Sequence, residues 1–440
     1  MRTKAINPRK VSVITLGCSK NLVDSEDLIT QLRGNDYEVE HDQWQGDAGI
    51  VVVNTCGFID LAKEESINTI LDYARLKTEG RLEKLYVTGC LSQRYKDNLE
   101  EEIPEVDAFF GTLELPGLLR TLQADYKAEL VGERILTTPG HYAYIKIAEG
   151  CNRTCTFCAI PLMRGTHVSK SIEQIVTEAR SQASRGVKEL ILISQELTYY
   201  GLDLYKKRAL PDLLEALQQV DGIQWIRMQY LYPSKFPVEI LDVIPRLNKV
   251  CRYIDIPLQH ASDKVLKAMK RQITLSETRA LIHLIREKVP GVAVRTTFIV
   301  GFPGETEEDF QQLMDFVTEM RFDRIGVFRY SHEEDTGAYT LADDVSDEEK
   351  IERSNRLMEV QQQISLELNQ EKIGRIYKVL IDKKESGTYY GRTEFDSVEV
   401  DNEVLIDATE NYCRLGDYCE VQIIDALEYD LIGKVVTVEN

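Results

Sequence analysis

Cys151, Cys155 and Cys158 fall within one short run, EGCNRTCTFCAIP. Thiolates are the preferred ligands of soft metals, and at this spacing all three can converge on one centre. On a four-iron cube, three thiolates leave one iron without a protein ligand, and that open iron can bind a substrate. Zinc is the competing chemistry, but it needs a fourth ligand close by. The next candidate is His167, and no second cysteine pair follows at zinc-ribbon spacing. A disulfide framework fits less well. A chain of 440 residues with nine cysteines and no secretory segment reads as intracellular, where thiols stay reduced.

A second trio lies upstream. Apolar, β-branched runs end in short turns that carry a cysteine: VSVITLGC at Cys18, GIVVVNTCG at Cys56 and KLYVTGC at Cys90. Such runs predict buried parallel strands. Helical spacing between them, at 24–32 and 61–73, makes βαβ units. Parallel strands point one way, so all three cysteines fall on the carboxyl edge of one sheet, where open α/β folds assemble their sites. Free cysteines are most often small buried hydrophobes. Three at equivalent strand ends, each beside a glycine (Gly17, Gly57, Gly89), favour a metal, because glycine lets backbone approach a bulky inorganic group. Cys251, Cys413 and Cys419 read as structural.

The elements that must position the first trio recur from residue 142. Strands are expected at 142–149, 189–194, 225–230, 253–257, 292–300 and 324–330, with amphipathic helices between them, for example 172–184 and 305–320. Six βα repeats predict an open, partial (β/α)6 barrel whose site lies at the strand carboxyl ends. The cysteine run follows the first of these strands. Loops at 194–201, 232–234, 257–263 and 301–309 (GFPGETEED) share that face. His260 lies in one of them; it and His283 read first as core or surface residues. Tyr199, Tyr200 and Tyr232 read as packing residues near the entrance.

Ser346 and the acids after it predict a capping-box start to a linker helix running to Gln370. Beyond it, alternating strands with glycine punctuation predict a small five-stranded β-barrel. Such barrels often bind nucleic acid through a basic face. Residues 371–440 instead hold eight Lys plus Arg against sixteen Asp plus Glu, a local charge of −8, so RNA binding through this barrel is not expected. The whole chain carries −20, which opposes docking on a phosphate backbone and attracts a basic protein. The N-terminal apolar run is too short for a signal peptide or membrane span, and the chain is expected to be cytoplasmic with no membrane partner. The expected division is an N-terminal open parallel α/β sheet domain (1–135), a central partial barrel with its linker helix (136–370), and a small antiparallel β-barrel (371–440).

The run Cys151-x3-Cys155-x2-Cys158, with Phe157 before the last cysteine, resembles the signature of radical S-adenosylmethionine enzymes. The upstream cysteine domain and a terminal barrel similar to the TRAM domain narrow the resemblance to the methylthiotransferases. LGCSKNLVDSE (16–26) resembles the branch that modifies an aspartate in the twelfth protein of the small ribosomal subunit; the tRNA-modifying branch usually has Gln-Met-Asn where this chain has Ser19, Lys20 and Asn21. The resemblance implies two 4Fe-4S clusters and S-adenosylmethionine as cofactors. It makes Cys151, Cys155 and Cys158 ligands of a radical-forming cluster that binds the methionine end of the cofactor. It makes Cys18, Cys56 and Cys90 ligands of an auxiliary cluster that carries or donates sulfur. Phe157 would pack near the adenine, with Gln195, Gly301 and Gly304 lining the cofactor pocket. One cofactor molecule would methylate a cluster sulfur, and a second would yield the radical that takes hydrogen from the aspartate β-carbon.

Three readings follow. The first is a methylthiotransferase acting on a basic ribosomal protein, with an external electron donor. The second keeps the chemistry with tRNA as substrate. The third is a non-catalytic iron–sulfur protein, disfavoured because electron carriers protect fully ligated clusters. The first two require both cysteine edges to face one cavity.

Overall fold

Uninterrupted β-branched runs can bury both faces of a strand, and the first sheet is built from them. In the computed structural model, which describes residues 6–436, strands β1 (Asn7–Thr15), β2 (Glu38–His41), β3 (Ala48–Thr55), β4 (Lys84–Gly89) and β5 (Ala108–Phe109) form a parallel sheet ordered β2-β1-β3-β4-β5. The outer ends of the expected first and last domains, 1–5 and 437–440, lie outside the described residues. Every residue of β3 is buried. Val11, Val13, Ile29 and Leu32 pack on one face, and Val51, Val53, Ile70 and Leu85 on the other. The expected helices are Ser19–Gly34 and Asp60–Thr78. Because β1, β3 and β4 are neighbours in the sheet, the cysteines that follow them emerge side by side.

The central unit contains β6 (Tyr142–Lys146), β7 (Ala148–Glu149), β8 (Val168–Ser169), β9 (Glu189–Ile193), β10 (Trp225–Met228), β11 (Tyr253–Asp255), β12 (Ala293–Val300) and β13 (Arg324–Arg329). The first expected strand breaks after Lys146, and β7 then pairs antiparallel with β8 to close the neck of the cysteine loop. The six main strands form two parallel sheets, β10-β9-β6 and β11-β12-β13. At the seam the chain is joined by an isolated Ile226–Val250 bridge and by Leu231 N–H to Asp255 O at 2.8 Å. The ladder stops there because Tyr230, with φ of 67°, turns out of extended conformation.

Helices Ile172–Ser184, Leu275–Lys288 and Glu307–Met320 cover the outside, each started by a complete capping box. Helix Asp347–Gln370 packs along β13, with Leu357 and Ile364 in the same core. Its expected capping box is only half made. Ser346 Oγ accepts from Glu349 N–H at 3.2 Å, but the Glu349 carboxylate is drawn to Arg353, where a guanidinium outcompetes a backbone N–H.

The terminal unit is a closed barrel ordered β14-β15-β16-β18-β17, from β14 (Ile376–Glu385), β15 (Thr388–Arg392), β16 (Val404–Asp407), β17 (Tyr418–Ala426) and β18 (Leu431–Val435). The expectation of a wholly antiparallel barrel is corrected by β16 and β18, which pair parallel. An odd number of strands cannot alternate direction all the way round a closed barrel, so one neighbouring pair must run together. The loop between β15 and β16 enters the central barrel at the amino ends of its strands. Arg392 meets Glu189 at 2.8 Å, Asp396 meets Arg324 at 2.6 Å, and Asp401 meets Arg295 at 3.2 Å. Farther in, Ser397 accepts from Gln229, just past the carboxyl end of β10, and Val398 packs with Ile193, the last residue of β9.

Candidate active site

The upstream trio is set by strand ends and helix starts. Cys18 is the N-cap of helix Ser19–Gly34, and Cys90 is the first residue of helix Cys90–Glu102; a helix N-terminus favours a thiolate. Cys56 follows β3 directly, its N–H donating to Ser66 Oγ at 3.0 Å. Burial, with Cys18 and Cys56 adding and Arg164 opposing, raises the Cys90 thiol to about 12. Gly17, at φ +89°, could carry no side chain, since a Cβ there would lie 2.7 Å from Cys56 Cβ. The glycine at this turn makes room for the Cys56 side chain.

Gly150 performs the equivalent task for the downstream trio. A Cβ on it would stand 2.1 Å from Thr166 O, so only glycine lets the neck of the cysteine loop close. Burial raises the Cys151 thiol to about 11 and the Cys158 thiol to about 12, and the neighbouring cysteines add to both. Arg271 Nη1 donates to Cys155 Sγ at 3.4 Å, and Tyr232 Oη lies 3.5 Å from the same sulfur. The Tyr232 ring is sandwiched by Arg153 at 3.8 Å and Arg271 at 4.1 Å. Arg153 also pairs with Glu196 at 3.0 Å. Tyr232 read as packing from sequence and instead touches a cysteine of the trio. Tyr199 stacks on Arg153 at 3.9 Å, whereas Tyr200 is fully buried with its hydroxyl on Lys170 O.

The two trios share one helix. Ile160–Arg164 starts just after Cys158, and Ala159 and Met163 pack against Cys90. Arg164, almost wholly buried, ends that helix and donates to Asn21, to Asp24 at 2.6 Å and to Glu149 at 3.3 Å. Lys146 completes the quartet, reaching Asp24 and, at 2.6 Å, Glu149. Two cations and two carboxylates from both domains therefore neutralise one another between the cysteine edges. A second clasp, at Glu333, holds Lys63 at 2.9 Å and Arg94 at 2.6 Å. Between these clasps Cys90 of the upstream trio packs against Ala159 and Met163, which follow Cys158 of the downstream trio. No sequence pattern marks Arg164, Glu333 or Arg271 as site residues; each contact is long-range.

Gln195 Nε2 donates to Glu149 at 2.6 Å, on the rim of the quartet. Phe157 packs with Val265, Met269 and Phe302. Gly301 is pressed on Lys350, and its N–H donates to Glu305 at 2.8 Å. Gly304 has nothing within 4 Å of where a Cβ would stand, and its N–H donates to Asp344. His260 is buried behind this loop, 3.4 Å from Glu305, which Arg353 also holds at 2.8 Å. It supports the loop from below. His167 Nε2 is hydrogen-bonded to Ser169 Oγ at 3.1 Å and its ring edges Tyr199.

Three thiolates at each site are a donor set that suits a 4Fe-4S cluster. All nine cysteines are free thiols. Among the described residues, no group of three or more His, Cys, Asp or Glu closes to the spacing of a single metal ion. A zinc ion, holding sulfur at about 2.3 Å, would draw its ligands nearly into contact; an iron cube carries its thiolates on separate corners.

A cysteine trio at the carboxyl mouth of a partial (β/α)6 barrel defines the class: a radical S-adenosylmethionine enzyme. Residues 145–317 match the Radical SAM superfamily, 10–111 the uncharacterized protein family UPF0004, and 373–436 the TRAM domain. The fold resembles that of TsrM, a radical S-adenosylmethionine methyltransferase from Kitasatospora setae, with TM-score 0.55 and 17% identity over 73% of each chain. The chain is 58% identical over 436 residues to the ribosomal protein uS12 methylthiotransferase RimO of Cytophaga hutchinsonii, covering 99% of this chain and 100% of that protein. Against its counterpart in Flavobacterium johnsoniae, identity is 59% over 435 residues, covering 99% and 100%. The chain belongs to the RimO family of ribosomal protein uS12 methylthiotransferases.

Proposed function

We propose that this protein is a methylthiotransferase that places a methylthio group on the β-carbon of an aspartate in ribosomal protein uS12. The observation that carries the reading is the packing of Cys90, from one cysteine trio, against Ala159 and Met163, beside the other. In this reading Cys151, Cys155 and Cys158 hold the radical-forming 4Fe-4S cluster, and Cys18, Cys56 and Cys90 hold the auxiliary one. Phe157, Gln195, Gly301 and Gly304 line the S-adenosylmethionine pocket, and the chain divides near residues 135 and 370. When bound, the clusters and S-adenosylmethionine supply the electron, the carbon radical, the methyl group and the sulfur.

The chain's own residues do the positioning. Arg271 donates to Cys155 with Tyr232 beside it, and Arg153 clamps that tyrosine from its other face. The Lys146–Asp24–Glu149–Arg164 quartet and the Glu333 clasp tie the two cysteine-bearing domains together beside the trios. The acidic terminal barrel steers a basic ribosomal protein rather than RNA. An external donor supplies electrons, and the substrate places the enzyme in the cytoplasm. Among the described residues, no helix is long and apolar enough to cross a membrane.

Mass spectrometry of ribosomal proteins and tRNA from cells lacking this gene tests the reading. Loss of a methylthio group from uS12 is the expected result. Loss from a tRNA adenosine with uS12 unchanged would replace it with the tRNA reading.

A further inference from the structure

Four lysines are buried among the described residues: Lys10, Lys20, Lys146 and Lys350. Lys10 meets Glu40 and Asp47, Lys146 meets Asp24 and Glu149, and Lys350 meets Asp343. Among the described residues, Lys20 has no ion pair with a carboxylate. Its ammonium instead lies 3.1 Å from the centroid of the Tyr230 ring. The position is unfavourable in two further ways. Lys20 stands in the first turn of helix Ser19–Gly34, where the dipole repels a cation, and that turn holds no acid. Leu22, Val23, Tyr144 and Ile193 pack with Tyr230 to give a surround of low polarity, in which an unpaired charge is costly. Tyr230 is itself held at φ 67°, its N–H on Asp255 Oδ2 at 3.0 Å. Such conformations persist where the surrounding structure imposes them, often at functional sites.

The location names the ligand. Lys20 is two residues past Cys18, and Tyr230 is two residues before Tyr232, whose hydroxyl touches Cys155 Sγ. Lys20 therefore follows a cysteine of one trio along the chain, and its ring partner precedes the tyrosine that touches the other. We propose that Lys20, braced on Tyr230, binds the side-chain carboxylate of the target aspartate and so determines that an acidic residue is modified. This rests on the methylthiotransferase reading above. A dry cation facing one carboxylate forms a strong charge-assisted hydrogen bond, and the amide of an asparagine would leave the charge unpaired.

The test uses anaerobically reconstituted protein, purified uS12, and uS12 with its target aspartate changed to asparagine. Wild type should bind uS12 about tenfold or more tightly than the asparagine form, the size expected when one partner of a desolvated charge pair is removed. Lys20→Met should abolish that preference with iron content unchanged, and Lys20→Arg should restore part of it. Three results would overturn the proposal: a wild type without the preference, a Lys20→Met variant that keeps it, or one that only loses iron or shifts a cluster potential. Failure of the underlying reading is seen separately, as a wild type that leaves uS12 unmodified.

Discussion

Arg94 and Glu333, 239 residues apart in sequence, meet at 2.6 Å with each side chain 2% exposed. Lys63 joins them at 2.9 Å, and Arg94 also donates to Glu334 O at 2.5 Å. This contact ties the cysteine-bearing N-terminal sheet to the last barrel loop. Glu333→Ala strips the carboxylate from the buried Arg94 guanidinium, whereas Lys63 keeps Asp60 at 2.8 Å. Removing one partner of a buried pair costs about 3–5 kcal/mol, and a drop of that size in urea unfolding free energy is expected. A change within the range of an exposed pair, below about 1 kcal/mol, would show that the clasp does not hold the domains together.

The two trios should separate in cluster content. Cys151→Ala and Cys18→Ala should each reduce reconstituted iron by half. Only Cys151→Ala should abolish 5′-deoxyadenosine production. Iron assay and product chromatography decide this, and undiminished deoxyadenosine from Cys151→Ala would refute the assignment of the downstream trio.

Hydrogen bonds and positive charge beside a cluster sulfur raise its reduction potential. Arg271 supplies both at Cys155, and Tyr232 supplies a hydroxyl. Arg271→Met should make the radical-site potential more negative, and Tyr232→Phe should do so to a smaller extent. A redox titration followed by electron paramagnetic resonance checks the order, and unchanged potentials with full iron content would contradict it.

His167 gives the fold a pH dependence of known sign. Burial lowers its pKa from the ordinary 6.5, with Asp203 and Glu196 opposing only in part. Below 6.5 the unfolded chain therefore takes up a proton that the folded chain refuses, and stability falls as pH drops from there toward the folded pKa. The stability difference between about pH 7.5 and about pH 5.5, measured by urea unfolding, should be smaller in His167→Asn than in wild type. An equal difference in both proteins would exclude His167 as the source.

Much of the site was legible because two periodicities did different work. Continuous apolar runs placed Cys18, Cys56 and Cys90 at equivalent strand ends, and the βα repeat placed Cys151 at a barrel mouth. Tyr232 was visible only as a tyrosine after a strand. Its role depends on Cys155, and on Arg271 from a different loop. The half-made capping box at Ser346 was illegible for a similar reason: Glu349 has a better partner in Arg353 than the local rule supplies.

Residue type and local spacing determined which atoms could bind iron and which end of each sheet would carry them, because strand direction and thiolate chemistry are both short-range properties. Tertiary structure alone decided how the two cysteine-bearing domains pack together beside the trios. That depends on Arg164, Glu333 and Lys20 meeting groups far away in the chain, and charge pairing across such separations leaves no periodic trace in a sequence.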